Sequence, residues 1–144
     1  MTPHRLAALL LRVGCSYLIA GIPSSQVVSL ASGVDLRTRG TGGVSVGRVA
    51  THVGLRPTVV AAVMDIAKGI AVGRMVRAAP TRPGAALIAA AAISGHNWSP
   101  YLRGAGGRGV VPSLGILSVA APDRLHPVLL GMAGGAVVQP GFRR

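Results

Sequence analysis

Residues 84–102 read GAALIAAAAISGHNWSPYL, a stretch without Asp, Glu, Lys or Arg in which His96 is the only basic side chain. A helix that crosses a bilayer needs about 20 predominantly apolar residues, with a range of about 17 to 25. The stretch therefore predicts a membrane-spanning helix. Four further segments are similarly poor in charge, and they are residues 6–23, 57–73, 109–122 and 125–142.

These segments predict an all-α fold, a polytopic membrane helix bundle with four to five hydrophobic segments. Segment 109–122 is short for a full span and contains Pro112, which also permits a half-helix or a re-entrant segment. We expect one integral membrane domain over residues 1–144.

The composition favours a membrane protein over a nucleic-acid-binding protein, the class that the high positive charge by itself suggests. Half of the 144 residues are hydrophobic (50%), the mean hydropathy is +0.56, and only 12% of residues are charged, against roughly 25% in ordinary globular domains. The net charge of +12 does not indicate a nucleic-acid partner, because the basic residues are spread between apolar runs and form no basic helix. The single cysteine, Cys15, excludes an internal disulfide.

The distribution of arginines predicts the orientation of the bundle. If all five segments cross, one side collects Arg5, Arg74, Arg77, Arg82 and Arg124, and the other collects Arg37, Arg39, Arg48, Arg56, Arg103, Arg108, Arg143 and Arg144. The more basic side is expected in the cytoplasm. We therefore predict a multi-pass protein of the plasma (inner) membrane, with both glycine-rich loops, residues 33–56 and 103–109, on its cytoplasmic face.

Two charged residues interrupt the second segment. Asp65 and Lys68 are three residues apart, so on a helix they share a face and can pair. Ionisable residues within a span are functional candidates, because an isolated charge there is costly. The alternatives are a self-satisfied ion pair or a segment end that reaches the interface.

The two glycine-rich loops predict an anion site. In residues 103–109, glycines allow backbone N–H groups to surround an anion, and Arg108 adds a forked donor. A helix beginning at Val110 would add further donors, and His96 could carry a proton or bind substrate. Residues 37–54 contain Arg48 and the hydroxyls of Thr41, Ser45 and Thr51. A flexible turn with an interfacial histidine and Trp98 is the alternative.

Taken in order, these stretches resemble the bacterial acyl-phosphate:glycerol-3-phosphate acyltransferases. The resemblance covers residues 21–115 and rests on GIPSSQVVSLASGVDLR, RGTGGVSVGRVATHVG, VMDIAKG and GHNWSPYLRGAGGRGVVPSLG. It implies an integral membrane enzyme of phospholipid synthesis that moves an acyl group from acyl phosphate to the 1-hydroxyl of glycerol 3-phosphate, giving lysophosphatidic acid. The implied partners are those two substrates and the lipid bilayer, and the chemistry implies neither a metal nor an organic cofactor.

The resemblance also implies roles for individual residues. The glycerol-phosphate-binding loop of the family corresponds here to Gly95, His96, Gly106, Gly107, Arg108 and Gly109. Lys68 is implied as a phosphate ligand with Asp65 in support. Thr41 stands where the family has a serine, and it keeps a hydroxyl. The position of the family's arginine is occupied here by Thr51, and Arg48 lies three residues earlier. Thr41 and His96 are the catalytic candidates.

Some positions depart from the family pattern. Gly43 replaces an asparagine, Gly104–Ala105 replace an aromatic–lysine pair, and the His- and Asn-bearing third motif is not visible before the chain ends at VVQPGFRR. The alternative function is therefore a catalytically impaired membrane protein of the same scaffold that binds a phosphorylated ligand or a partner. A transport or channel component, with Asp65 and Lys68 lining a pathway, is a third interpretation that the retained loops favour less.

Overall fold

The computed structural model describes residues 2–39 and 42–138, with side chains to Met132, and in these residues the chain is helical without a strand. This confirms the predicted all-α bundle. The helices are α1 (Pro3–Gly21), α2 (Ser24–Ala31), α3 (Val46–His52), α4 (Leu55–Arg77), α5 (Arg82–Asn97), α6 (Val110–Ala120) and α7 (Pro122–Val138). Single 3-10 turns lie at Leu36–Thr38 and Pro100–Leu102.

Each of the five predicted segments overlaps one of the helices α1, α4, α5, α6 and α7. The prediction for residues 84–102 needs a correction, because α5 ends at Asn97 and the chain continues through a 3-10 turn. Ser99 starts that turn by accepting a hydrogen bond from the Tyr101 N–H (3.3 Å), and Pro100 has no N–H with which to continue a helix. Residues 139–142 of the last segment lie outside the described residues.

Helix α4 is central to the bundle and contacts α1, α2, α3, α5 and α6. Helices α1 and α4 run in opposite directions, because Lys68 of α4 bonds to the C-terminal end of α1 while Arg12 of α1 bonds to Ala78 after α4. Helix α5 runs parallel to α1, and α6 parallel to α4, as the contacts of their glycines show. Both glycine-rich loops therefore lie at one end of the bundle, and the α4–α5 turn lies at the other.

Helices α4 and α6 pack closely against each other. Gly69 and Gly73, spaced four apart on α4, face α6, where a side chain on Gly69 would overlap the backbone of Pro112 and lie 2.9 Å from the Cα atom of Gly115. Small residues at this spacing let two helix backbones approach closely in lipid. The contact holds α6 so that its N-terminus, at Val110, reaches the loop end of the bundle.

The outer surface of the bundle is apolar. Leu11 and Leu55 are 69% and 77% exposed, as expected of side chains that face lipid tails. Helix α2 also has its apolar side chains on the outside, since Val27 and Leu30 are exposed. Its polar residues are buried, and they are Ser24, Ser25, Gln26 and Ser29. Within the described residues, one apolar stretch, residues 3–31, is long enough to cross a membrane, and the structure divides it into α1 and α2 at Ile22–Pro23.

Neither α2 nor α3 was predicted as a helix. Helix α3, with 7 residues, lies in a segment whose glycines and hydroxyls predicted only a loop, and α2, with 8, begins with two serines directly after a proline. Helix α6 has 11 residues, which span about 16 Å against the roughly 30 Å of a bilayer core. The segment predicted at residues 109–122 is therefore a helix too short to cross the bilayer core by itself.

Replacing Gly69 by alanine is expected to destabilise the bundle by about 1–3 kcal/mol, because the added Cβ meets backbone atoms that cannot rotate away. The matched control is Gly14→Ala on α1, where nothing lies within 4 Å of the added atom. Thermal unfolding of the detergent-purified variants measures the difference. Equal midpoints for Gly69→Ala and the unmodified chain would show that α4 and α6 are not in this close contact.

Candidate active site

A cavity of about 320 Å³ opens at the end of the bundle where the two glycine-rich loops meet. Ligand sites of small molecules commonly occupy about 300 to 1,000 Å³. Helix α3 and its N-cap form one wall, the loop that leads into α6 forms another, and α4 and α5 contribute one polar side chain each. The polar side chains of the lining are Ser45, Arg48, Thr51, Asp65, His96 and Arg108.

Arg48 and Arg108 come from different loops and line the same cavity. An adjoining cavity of about 280 Å³ shares both arginines and Ser45. An Nη atom of Arg48 donates to the Arg39 carbonyl, which fixes the side chain, while its buried Nε has no acceptor among the described residues. The arrangement offers two guanidinium groups to one anionic ligand, a role to which their forked donors are suited.

The N-terminus of α6 faces the same cavity through Gly109, Val110 and Val111. Gly109 has a φ of 71°, a left-handed conformation that glycine adopts without strain, and this turns the chain into the helix. The first N–H groups of a helix have no acceptor within it. Together with the positive end of the helix dipole, they favour a phosphate at this position.

The loop of residues 103–109 is held against the end of α5 by its glycines. The Gly107 N–H donates to the His96 carbonyl (3.1 Å), and the Gly106 carbonyl accepts from the Val44 N–H of the other loop (3.1 Å). A side chain on Gly106 would overlap the carbonyls of His96 and Asn97, and one on Gly107 would overlap His96 Nε2. The glycines therefore position the His96 ring and join the two loops.

Asp65 and Lys68 form a buried ion pair, with Lys68 Nζ 2.8 Å from Asp65 Oδ1 and side-chain exposures of 9% for Lys68 and 2% for Asp65. Lys68 Nζ also donates to the carbonyls of Ala20 (3.2 Å) and Ile22 at the end of α1. The ammonium therefore has two backbone hydrogen-bond acceptors and one carboxylate as its counter-charge. The positive charge also lies where the α1 dipole is negative.

Two residues with roles implied by the family resemblance, Lys68 and Gly95, do not line the 320 Å³ cavity. Lys68 binds the end of α1 instead of presenting its ammonium to a phosphate. Gly95 is buried between α5 and α1, where a side chain would overlap the Tyr17 carbonyl, so its role is helix packing. Thr41 lies outside the described residues.

Ser99 and Ser45 are two residues whose part in the site was not predicted individually. Ser99 is buried, and its Oγ donates to the Gly21 carbonyl (2.6 Å), beside the two carbonyls that Lys68 binds. Ser45 precedes α3 but makes no side-chain hydrogen bond to it, and it lines the cavity. The available sequence signal for Ser45 was its place among the small hydroxyl residues of the first glycine-rich loop, close to Arg48. No feature of the sequence indicated a role for Ser99.

Asp35 fixes the start of the first loop. It forms an ion pair with Arg37 (2.9 Å) and accepts from the Gln26 amide (2.6 Å). The Arg37 guanidinium, and after it the Gln26 amide, hold the pKa of the Asp35 carboxyl well below its usual range. The same pair raises the pKa of Arg37. In the described part of the chain, no three His, Cys, Asp or Glu side chains meet as a metal site.

The site lies in a segment whose sequence matches a known family. The family described as Glycerol-3-phosphate acyltransferase matches residues 10–139. The chain belongs to this family. The resemblance seen in the loops is thereby confirmed.

Curated members of the family are similar over most of this chain. Glycerol-3-phosphate acyltransferase 1 of Deinococcus radiodurans is 38% identical over 85% of this chain and 60% of its own length. The glycerol-3-phosphate acyltransferase of Desulforudis audaxviator is 35% identical over 82% of this chain and 60% of its own length. That of Anaeromyxobacter dehalogenans is 36% identical over 95% of this chain and 69% of its own length. The chain thus spans 60% of the length of the first two relatives.

The fold is also that of solved members. PlsY (YgiH), an integral membrane glycerol 3-phosphate acyltransferase, superposes in its glycerol 3-phosphate form with a TM-score of 0.77 at 26% identity, over 88% of this chain and 64% of that one. Its lysophosphatidic acid form superposes with a TM-score of 0.72 at 24% identity, over 85% and 61%. Family and fold together support the membrane location predicted from hydropathy.

Lys68→Met is expected to destabilise the protein by about 3–5 kcal/mol, because it leaves the Asp65 carboxylate buried without its counter-charge. The double variant Asp65→Asn/Lys68→Met removes both charges and is expected to recover part of that loss. Thermal unfolding in detergent measures both effects. If the loss of stability in the double variant equalled the sum of the losses in Lys68→Met and in Asp65→Asn, the two side chains would not be coupled.

Proposed function

We propose that this chain transfers an acyl group from acyl phosphate to glycerol 3-phosphate. The 1-hydroxyl oxygen attacks the acyl carbonyl carbon, the bond from that carbon to the phosphate oxygen breaks, and the hydroxyl proton leaves. The products are lysophosphatidic acid and inorganic phosphate. Membership of the family and its fold support this reaction.

The observation that carries the proposal is the meeting of Arg48, Arg108 and the α6 N-terminus in one cavity. Both proposed substrates carry a phosphate, and the reaction passes negative charge from the attacking oxygen to the leaving phosphate. Fixed donors aimed at developing charge lower the barrier of such reactions. Because acyl phosphate is already activated, the main task of the protein is to align the substrates.

His96 on α5 and Asp65 on α4 line the same cavity as the two arginines. We assign His96 the role of receiving the hydroxyl proton, which it then passes to the departing phosphate. Asp65 supports the positively charged imidazole during that transfer. Thr41, on the family resemblance, and Ser45, on its place in the cavity, are proposed as hydroxyl ligands of the substrates.

The site is proposed to face the cytoplasm of a plasma (inner) membrane. On the topology predicted from the sequence, the side with the two glycine-rich loops carries eight arginines, including Arg143 and Arg144 outside the described residues, and the other side carries six when Arg12 is counted with Arg5, Arg74, Arg77, Arg82 and Arg124. A more basic end is retained in the cytoplasm. Exposed Trp98 and Tyr101 at the loop end have the amphipathic character of side chains at a membrane interface.

Arg108→Ala is expected to lower kcat/KM for glycerol 3-phosphate by about 10- to 100-fold, because one charge-assisted contact to phosphate is lost. Membranes containing the chain are supplied with acyl phosphate and labelled glycerol 3-phosphate, and lysophosphatidic acid is measured. Arg103→Ala is the matched control, since Arg103 is exposed in the same loop and does not line the cavity. Specific binding of glycerol 3-phosphate without turnover in the unmodified chain would instead support the impaired, ligand-binding protein.

Single cysteines at positions 37 and 103, introduced as Arg37→Cys and Arg103→Cys in a Cys15→Ala background, are expected to react with a membrane-impermeant maleimide only from the cytoplasmic side. The reason is that both positions lie on the side of the predicted topology that carries more arginines in the full sequence. Labelling is compared between intact cells and inverted vesicles. Reaction of either cysteine in intact cells would reverse the proposed orientation.

A further inference from the structure

A cavity of about 300 Å³ lies at the end of the bundle opposite the active site, between the first half of α1 and the α4–α5 turn. The residues that line it are Arg5, Ala8, Leu9, Arg12, Ala78 and Pro80. The four from α1 share one helix face, and Arg5 and Arg12 lie about 10 Å apart along it. The cavity is thus basic at two points and apolar between them.

The carboxylates of the chain are committed elsewhere. The sequence contains three acidic residues, and these are Asp35, Asp65 and Asp123, which pair with Arg37, Lys68 and Arg124. No acidic side chain therefore remains to neutralise Arg5 or Arg12. An anion from outside the protein is the remaining source of a counter-charge.

Arg12 is held in place by the protein. One Nη atom donates to the Ala78 carbonyl (2.7 Å) at the C-terminal end of α4. A guanidinium carries five N–H donors. Within the described residues, the Arg12 side chain makes one hydrogen bond to the protein, the one to Ala78. The fixed guanidinium can therefore donate to a second acceptor in the cavity at little further cost in side-chain entropy.

The surroundings of the cavity suit a ligand with an apolar tail. Leu6 and Leu10 are exposed on α1 beside the cavity, and Leu9 lines it. Such side chains in a membrane bundle lie against acyl chains, while basic pockets between transmembrane helices bind lipid head groups.

We propose that this cavity binds the phosphate head group of an anionic phospholipid, with Arg5 and Arg12 as its ligands. The site is separate from the proposed active site, because Ala78 lies about 20 Å along α4 from Asp65. The proposal rests on the membrane location and does not depend on the acyl transfer.

The test uses the full chain purified in detergent, with phosphatidylglycerol as the probe and phosphatidylcholine as the zwitterionic comparison, followed by native mass spectrometry. Arg5→Gln is expected to lower the affinity for phosphatidylglycerol about fivefold, the effect of one basic residue near an anionic lipid. This change is chosen because the Arg5 side chain makes no hydrogen bond or ion pair within the described residues, so folding is not at risk. Arg82→Gln, at the same end but outside the cavity, is expected to leave the affinity unchanged.

Three results would overturn the proposal. The first is equal retention of phosphatidylcholine and phosphatidylglycerol by the unmodified chain. The second is an equal loss of affinity in Arg5→Gln and Arg82→Gln, which would mean a diffuse charge effect. The third is loss of phosphatidylglycerol binding in Arg108→Ala with none in Arg5→Gln, which would place the lipid in the active site.

Discussion

The interaction on which the rest of the structure depends is the buried contact of the Lys68 ammonium with Asp65 and the end of α1. Three acceptors surround Nζ, and Ser99 binds the carbonyl between the two that Lys68 takes. Burying a charge is costly, and the ion pair together with the hydrogen bonds to the end of α1 offsets that cost. The contact thereby fixes α1, α4 and the loop after α5 relative to one another. Asp65, held by it, forms part of the wall of the active site.

Close backbone packing is the second constraint, and glycine makes it possible. With aromatic residues at only 3% of the sequence, large side chains cannot fill wide gaps between helices. Gly69 and Gly73 instead bring α4 against α6, and Gly95 brings α5 against α1. The approach of α6 determines where its N-terminus lies, so the position of the phosphate donors follows from contacts about one helical turn or more away.

The sequence predicts what depends on local spacing and leaves open what depends on long-range contacts. The hydrophobic segments follow from the scarcity of charged residues, and the pairing of Asp65 with Lys68 follows from their spacing on a helix. The crossing of successive segments predicted that both loops share one end. The partners of Lys68 on α1 are 48 and 46 residues away in sequence, so no local pattern could show that Lys68 binds a helix end. The packing role of Gly95 depends in the same way on Tyr17 of another helix. Helix α3 was missed because its glycine and hydroxyl residues have weak helix propensity.

The balance of charge connects the two ends of the molecule. With 15 basic residues against 3 acidic ones, and each acid already paired with a base, the remaining arginines can be neutralised only by anions that the protein does not contain. At the loop end, Arg48 and Arg108 line an open cavity, which a substrate phosphate is proposed to enter and leave. At the other end, Arg5 and Arg12 lie beside exposed leucines, where a lipid phosphate is proposed to bind. On these two proposals, the scarcity of carboxylates leaves arginines at both ends of the bundle free to bind phosphate, soluble phosphates at one end and lipid head groups at the other.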